Sequence, residues 1–230
     1  MMNRIPERYI IAAIYVFFAA GALWNTLGVL QGFMQATTPF VLAGAAVVSV
    51  ALTYRHRPST YIAFAAIFIV TWAIEALGVA TSFPFGTYVY TDQLGWKVLG
   101  VSIIIPFAWV LVIATSDAFV GHFFRRISAV LVALMATVFD FFLEFAADML
   151  DLWHWSTRFP PLSNYISWFV ISLAAVLLLR DMTERRDSLQ TPGVPMSDAA
   201  LRIPAHLWIA MVIYFCFTFL GMKSGLLTLS

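Results

Sequence analysis

Seven long apolar blocks run along the chain, separated by short polar or aromatic stretches. They cover residues 9–28, 38–54, 60–80, 97–118, 127–147, 164–180 and 203–222. A helix crossing a bilayer needs roughly 20 apolar residues. Within lipid such a block must be helical, because every backbone N–H and C=O needs a partner inside the segment. The pattern therefore predicts an all-α integral membrane protein, with seven transmembrane helices in one bundle and a single domain over residues 1–230. Pro39 and Pro204 fall at the predicted starts of helices two and seven, where a missing N–H is harmless. Pro106 falls inside the fourth block and predicts a kink there.

Composition agrees with this reading. The chain is 62% hydrophobic and 11% charged, against about 25% charged in soluble domains. No small-x-small cleavage site follows the first block, so it reads as a retained span rather than a secretory signal. Charge then orients the bundle. Arg4, Arg8, Arg55, Arg57, Arg125, Arg126, Arg180, Arg185, Arg186 and Arg202 fall on one side of the membrane, and Lys97, Arg158 and Lys223 on the other. That bias predicts a multi-pass protein of the cell membrane with a cytoplasmic N-terminus and an extracytoplasmic C-terminus. The polar loop 181–200, with Pro192, Gly193 and Pro195, is the longest linker. The formal net charge of +1 selects no charged partner, and a nucleic-acid partner is not expected. Membrane lipid is the expected surrounding, and oligomeric state is left open. The single Cys216 makes neither an internal disulfide nor a cysteine-based metal site.

Acidic residues stand deep within the apolar pattern in two places. Residues 137–155, TVFDFFLEFAADMLDLWHW, carry Asp140, Glu144, Asp148 and Asp151 with no cation before Arg158. On a continuous helix these four would fall within an arc of roughly 80°. Glu75 stands in the third block, in TWAIEALGV. Glu75, Asp140 and Glu144 lie at membrane depth, and no span places a Lys or Arg at mid-depth to pair with them. An unpaired carboxyl there is expensive, faces the bundle interior and marks a functional site by default. It is cheapest in its protonated form. A neutral carboxylic acid beside a second carboxyl is a proton donor next to a base. The alternative is structural, each acid hydrogen-bonding a neighbouring helix. Asp148 and Asp151 read as solvated interfacial residues.

Aromatic residues gather near the acids. In TSFPFGTYVYTDQLGW, residues 81–96, Pro84 and Gly86 mark a turn, and TYVYT alternates like a short strand. Trp96, Trp153, Trp155, Tyr88, Tyr90 and Tyr165 collect at one membrane face, partly as an ordinary aromatic belt. Aromatic faces also stabilise cations, so acids plus aromatic rings can protonate an alkene and hold the carbocation. His154 with Asp148 and Asp151 is too loosely spaced for a metal site, and no metal is expected. Asn164 reads as the N-cap of helix six, or as a group that orients water. Asn25 is polar within helix one.

EALGVATSFPFGTYVYTDQLG and DFFLEFAADMLDLWHW…PPLSNYISWF resemble the membrane carotenoid hydratase family, which includes bisanhydrobacterioruberin hydratase. The resemblance covers residues 75–169 and departs from the family pattern near Ser82, where a glycine is expected, and at Ser102 and Phe145. It implies a cofactor-free hydro-lyase acting on a lipid-soluble carotenoid or isoprenoid. Water is added to the terminal double bond of a linear end group to leave a tertiary alcohol. Glu75, Asp140 and Glu144 are then the expected catalytic acids and bases. Phe85, Tyr88, Tyr90 and Trp109 are expected to bind substrate, together with Trp153, Trp155, Asn164 and Trp168. Two rival functions remain: a magnesium-dependent membrane prenyltransferase, and a proton or ion transporter using the acids as a relay. The first would need cations for a diphosphate where only Lys97 and Arg158 are near, and the second would need polar residues through the full depth, of which the cytoplasmic half offers few. A retinal protein is excluded because no lysine lies mid-span.

Overall fold

The chain is described by a computed structural model covering residues 6–54, 58–124, 128–187 and 198–224. Arg4, Arg55, Arg57, Arg125 and Arg126, and residues 188–197 of the 181–200 linker, lie outside the described residues. Among the described residues, seven helices are long and apolar enough to cross a membrane. They are α1 (Glu7–Leu27), α2 (Gln31–Tyr54), α3 (Pro58–Thr81), α4 (Ile105–Phe124), α5 (Ala129–Ala147), α6 (Leu162–Asp187) and α7 (Asp198–Lys223). Two antiparallel ribbons accompany them at one end of the bundle. β1 (Tyr88–Tyr90) pairs with β4 (Trp153–Trp155), and β2 (Lys97–Val98) pairs with β3 (Val101–Ser102).

α4 is the axis. It packs against α2, α3, α5 and α7, and its residues from Trp109 to Ala118 are buried. α1 lies outermost, along α7, with bulky residues such as Phe17 turned outward. An apolar exterior of this kind is what a lipid surround requires, and the fold is that of a multi-pass membrane protein.

Four boundaries differ from the sequence expectation. The sixth helix, expected to end at 180, runs on to Asp187, so 181–187 belongs to α6 rather than to the linker. α2 starts at Gln31, so Pro39 lies inside it rather than at its first turn. Gly28 in the left-handed region and Leu30 at φ 55° turn the chain back within three residues. The polar residues Gln31, Gln35, Thr37 and Thr38 hid this stretch from a hydropathy reading, although the threonine hydroxyls bond back to the carbonyls of Phe33 and Met34. The fourth block does not begin as a helix at 97. Leu99 and Gly100, both at positive φ, turn residues 97–102 into the β2–β3 hairpin. Pro106 then falls in the first turn of α4, where its ring costs no hydrogen bond, so no kink is needed. Pro204 likewise lies inside α7, which starts at Asp198.

Candidate active site

The stretch between α3 and β1 is a tight turn pressed against α6. Ser82, where a glycine is expected, sits at φ 65°, the left-handed region that glycine favours. Its hydroxyl accepts from Thr87 Oγ1 at 2.8 Å, which helps hold that conformation. Gly86, at φ 120°, has no room for a side chain: a Cβ there would meet Pro161 Cγ at 2.6 Å. Ser163 and Ser167 of α6 donate to the carbonyls of Phe85 and Pro84. The turn is thereby fixed, and β1 emerges from it at a set angle.

In the β1–β4 ribbon Tyr88 pairs with Trp155, Val89 with His154 and Tyr90 with Trp153. Side chains alternate across a strand, so two tyrosines and two tryptophans share one face. Tyr88 and Trp155 have ring centroids 5.1 Å apart, and Tyr90 and Trp153 5.9 Å. His154 lies on the other face, where its two ring nitrogens meet Asp148 at 2.9 Å and Asp151 at 2.8 Å.

The inner face of the ribbon supplies hydrogen-bond donors to two carboxyls. Glu75 Oε2 accepts from Tyr88 Oη at 2.5 Å and Tyr90 Oη at 2.8 Å, while Oε1 accepts from Trp109 Nε1 at 2.8 Å. Glu144 Oε2 accepts from Trp155 Nε1 at 2.8 Å and Trp153 Nε1 at 3.1 Å. Asp140, one turn before Glu144 on α5, accepts at Oδ2 from Asn164 Nδ2 at 2.9 Å. Burial, and after it the charge of Glu75, push the phenols of Tyr88 and Tyr90 well above their ordinary range, so both stay donors. Among the described residues no cation pairs with any of the three carboxyls.

Helix geometry sets the depth. Glu75 stands six residues inside the end of α3, about 9 Å at 1.5 Å per residue. Trp109 lies flat on Trp168, ring centroids 3.7 Å apart and planes 13° apart, with Phe85 against its other edge. These groups border one cavity of about 610 Å³. Glu75, Asp140, Glu144, Phe85, Tyr88, Tyr90, Trp109, Trp153, Trp155, Asn164 and Trp168 all line it. It therefore offers two carboxyls one turn apart, a third held by three donors, and broad aromatic faces.

Some expectations are corrected. Asn164 is not an N-cap; it lies within the first turn of α6 and its amide serves Asp140. Trp96 is 83% exposed and takes no part in the cluster. The acidic stripe is shorter than a continuous helix would make it. α5 ends at Ala147, and Asp151 at φ 55° turns the chain toward β4, so Asp148 and Asp151 meet His154 on the ribbon's outer face.

A second polar cluster was missed in the sequence. Asp117, buried on α4, accepts from the hydroxyl of Tyr54 and lies 3.9 Å from Arg180 Nη2. Ser49, Thr53, Thr60 and Ser116 are also buried in the half of the bundle remote from the ribbon, which is therefore more polar than its hydropathy suggests. Asp117 fell at the edge of a span drawn to 118, and a short hydroxyl side chain barely lowers a hydropathy average. The cavity lining also includes Gly21, Met34 and Tyr214, which no sequence motif marked.

No curated protein and no solved structure matches the chain. A family model described as carotenoid biosynthesis protein matches residues 36–228. That span includes all three cavity carboxyls, and the chain belongs to the carotenoid biosynthesis protein family.

Proposed function

We propose that the protein is a hydratase that adds water to the terminal double bond of a linear carotenoid. The observation that carries this reading is the unequal hydrogen bonding of three carboxyls in one cavity. Glu75 accepts three donors, Glu144 two and Asp140 one. Donors favour the charged form of a carboxyl, so Asp140, fully buried with a single donor on Oδ2, carries the proton on Oδ1. Glu144, held by two indoles, is the base.

Asp140 gives its proton to the less substituted carbon of the alkene, and the π pair forms the new C–H bond. Positive charge develops on the tertiary carbon. The aromatic faces of the cavity and the carboxylate of Glu75 stabilise it. Water adds to that carbon and Glu144 takes the proton that water loses. Residues four apart on a helix are neighbours, so the proton returns from Glu144 to Asp140 and restores the site. The sum is alkene plus water to tertiary alcohol, with no other reactant, and it can run in either direction.

A host that makes a linear carotene tests this. With the gene present, a carotenoid heavier by one water should accumulate; an unchanged carotenoid profile would remove the hydratase reading. A proton relay is the second reading, favoured by the buried Asp117 cluster in the opposite half. It requires proton flux in reconstituted vesicles that is lost in Asp117→Asn. With the cytoplasmic N-terminus expected from arginine placement, the cavity opens toward the outer leaflet.

A further inference from the structure

The carboxyl cavity continues sideways, away from the acids. Its lining runs past Met211, Tyr214 and Phe215 of α7 to Gly21 of α1 and Met34 of α2, and ends at Phe17 and Phe33. Those two phenylalanines are 56% and 61% exposed, on the outer wall of the bundle. α1 packs along α7 and α2 along α4, and the two helices make little contact with each other. At the ribbon end the way is covered, since Tyr88 and Trp153 are buried.

We propose that the slot between α1 and α2, framed by Gly21 and Met34, admits the carotenoid and then holds its unreacted chain while the end group lies at the acids. The proposal rests on the carotenoid reading of the site. Depth agrees with it: Gly21 stands six residues inside the end of α1, about 9 Å, the same as Glu75 in α3. Shape agrees too. A carotenoid is a long rod, and the lining of the cavity reaches from the acids to the exposed Phe17 and Phe33, a path along which a polyene can extend toward the outer wall. Phe17, Phe33 and the flexible thioether of Met34 are available to a polyene at the slot, beside the polar Gln31, Gln35, Thr37 and Thr38 of the same α2 segment.

Gly21 sets the width of the slot. A Cβ added there would stand 3.5 Å from Tyr214 Cε2 and 3.7 Å from Met34 Cε, ordinary contact distances. A methyl group fits, and a longer side chain takes up part of the gap. Gly21→Ala should thus be tolerated, and Gly21→Leu should narrow the slot from α1, so that a long polyene cannot rest in it while a short, flexible terpene still passes. Met34→Trp narrows it from α2.

Two probes in bilayer nanodiscs test the portal. Lycopene is achiral and shows circular dichroism only when a chiral site holds it. Myrcene is a short acyclic terpene that needs no room beyond the cavity. Wild type and Gly21→Ala should induce the lycopene signal. Gly21→Leu and Met34→Trp should weaken lycopene binding by about tenfold or more, equivalent to about 1.4 kcal/mol per decade, while still hydrating myrcene. Wild-type lycopene affinity in both narrowed variants would overturn the portal, as would the absence of an induced signal in wild type. Slot-dependent lycopene binding with no water added to either probe would leave the portal standing and remove the hydratase reading.

Discussion

Tyr88 and Trp155 face each other across the β1–β4 ribbon, ring centroids 5.1 Å apart, and each donates to a different carboxyl. Tyr88 reaches Glu75 on α3, and Trp155 reaches Glu144 on α5. Tyr90 and Trp153 repeat the arrangement one pair further along. Two strands of three residues thus tie together acids from helices that are far apart in sequence. A two-stranded ribbon is only marginally stable alone; here the carboxyls hold it as much as it holds them.

The shared ribbon makes its donors interdependent. A hydrogen bond to a charged group contributes about 1.5–3 kcal/mol, so Tyr88→Phe and Trp155→Phe should each slow water addition by roughly tenfold to a hundredfold. Because the two rings touch, the double variant should lose less than the product of the single losses. Rates for the four proteins of this cycle, measured on one carotene preparation, check it. Strict multiplicativity would mean the two acids are positioned separately.

Gly78 lies on α3 beneath the turn that carries Phe85 and Tyr88. A Cβ there would meet Phe85 Cδ2 at 2.8 Å and Tyr88 Oη at 3.1 Å. Gly78→Ala should push both rings away, destabilise the fold by about 1–3 kcal/mol and loosen the Tyr88–Glu75 bond. Phe85→Leu, which removes the closest ring, should restore part of the stability. Thermal unfolding of the single and double variants in detergent gives the comparison, and unchanged stability in Gly78→Ala would contradict the packing described.

His154 should make stability depend on pH. Hydrogen bonds to Asp148, then to Asp151, raise its pKa above the ordinary histidine value of about 6.5. The folded state therefore holds the proton more tightly. Its stabilising contribution is complete below that ordinary value and is lost as pH rises through the raised one. The unfolding midpoint should fall as pH is raised from mildly acid through neutral, and His154→Gln should flatten that part of the profile. The effect should be small because the cluster is exposed.

Most of the fold was legible because lipid leaves helices few alternatives. The edges were not. Gln31–Thr38 is helical with a polar composition, and Lys97–Ser102 is apolar without being helical. In both, positive-φ turns at Leu30 and at Leu99–Gly100 decide the matter, and hydropathy does not register them. The candidate acids were legible because a carboxyl in an apolar block is costly enough to stand out. β1 could be read from the alternation in TYVYT, but three residues, WHW, show no pattern that would identify β4 as its partner. Asn164 was misread because a cap and an interior donor to Asp140 look alike in one dimension, and only the crossing of α5 and α6 distinguishes them.

The central claim is that Asp140 and Glu144 move protons rather than only hold helices together. Asp140→Asn and Glu144→Gln keep shape and hydrogen bonding while removing the titratable proton. The measurement is water addition to a linear carotene in heavy water, following both the gain of one water and the deuterium placed on the less substituted carbon. Wild type should give the deuterated tertiary alcohol. Each amide variant should insert and unfold like wild type, yet lose the reaction by roughly two to four orders of magnitude, the range for a general acid or base. Full-rate, deuterium-labelled hydration by both amide variants would contradict the account.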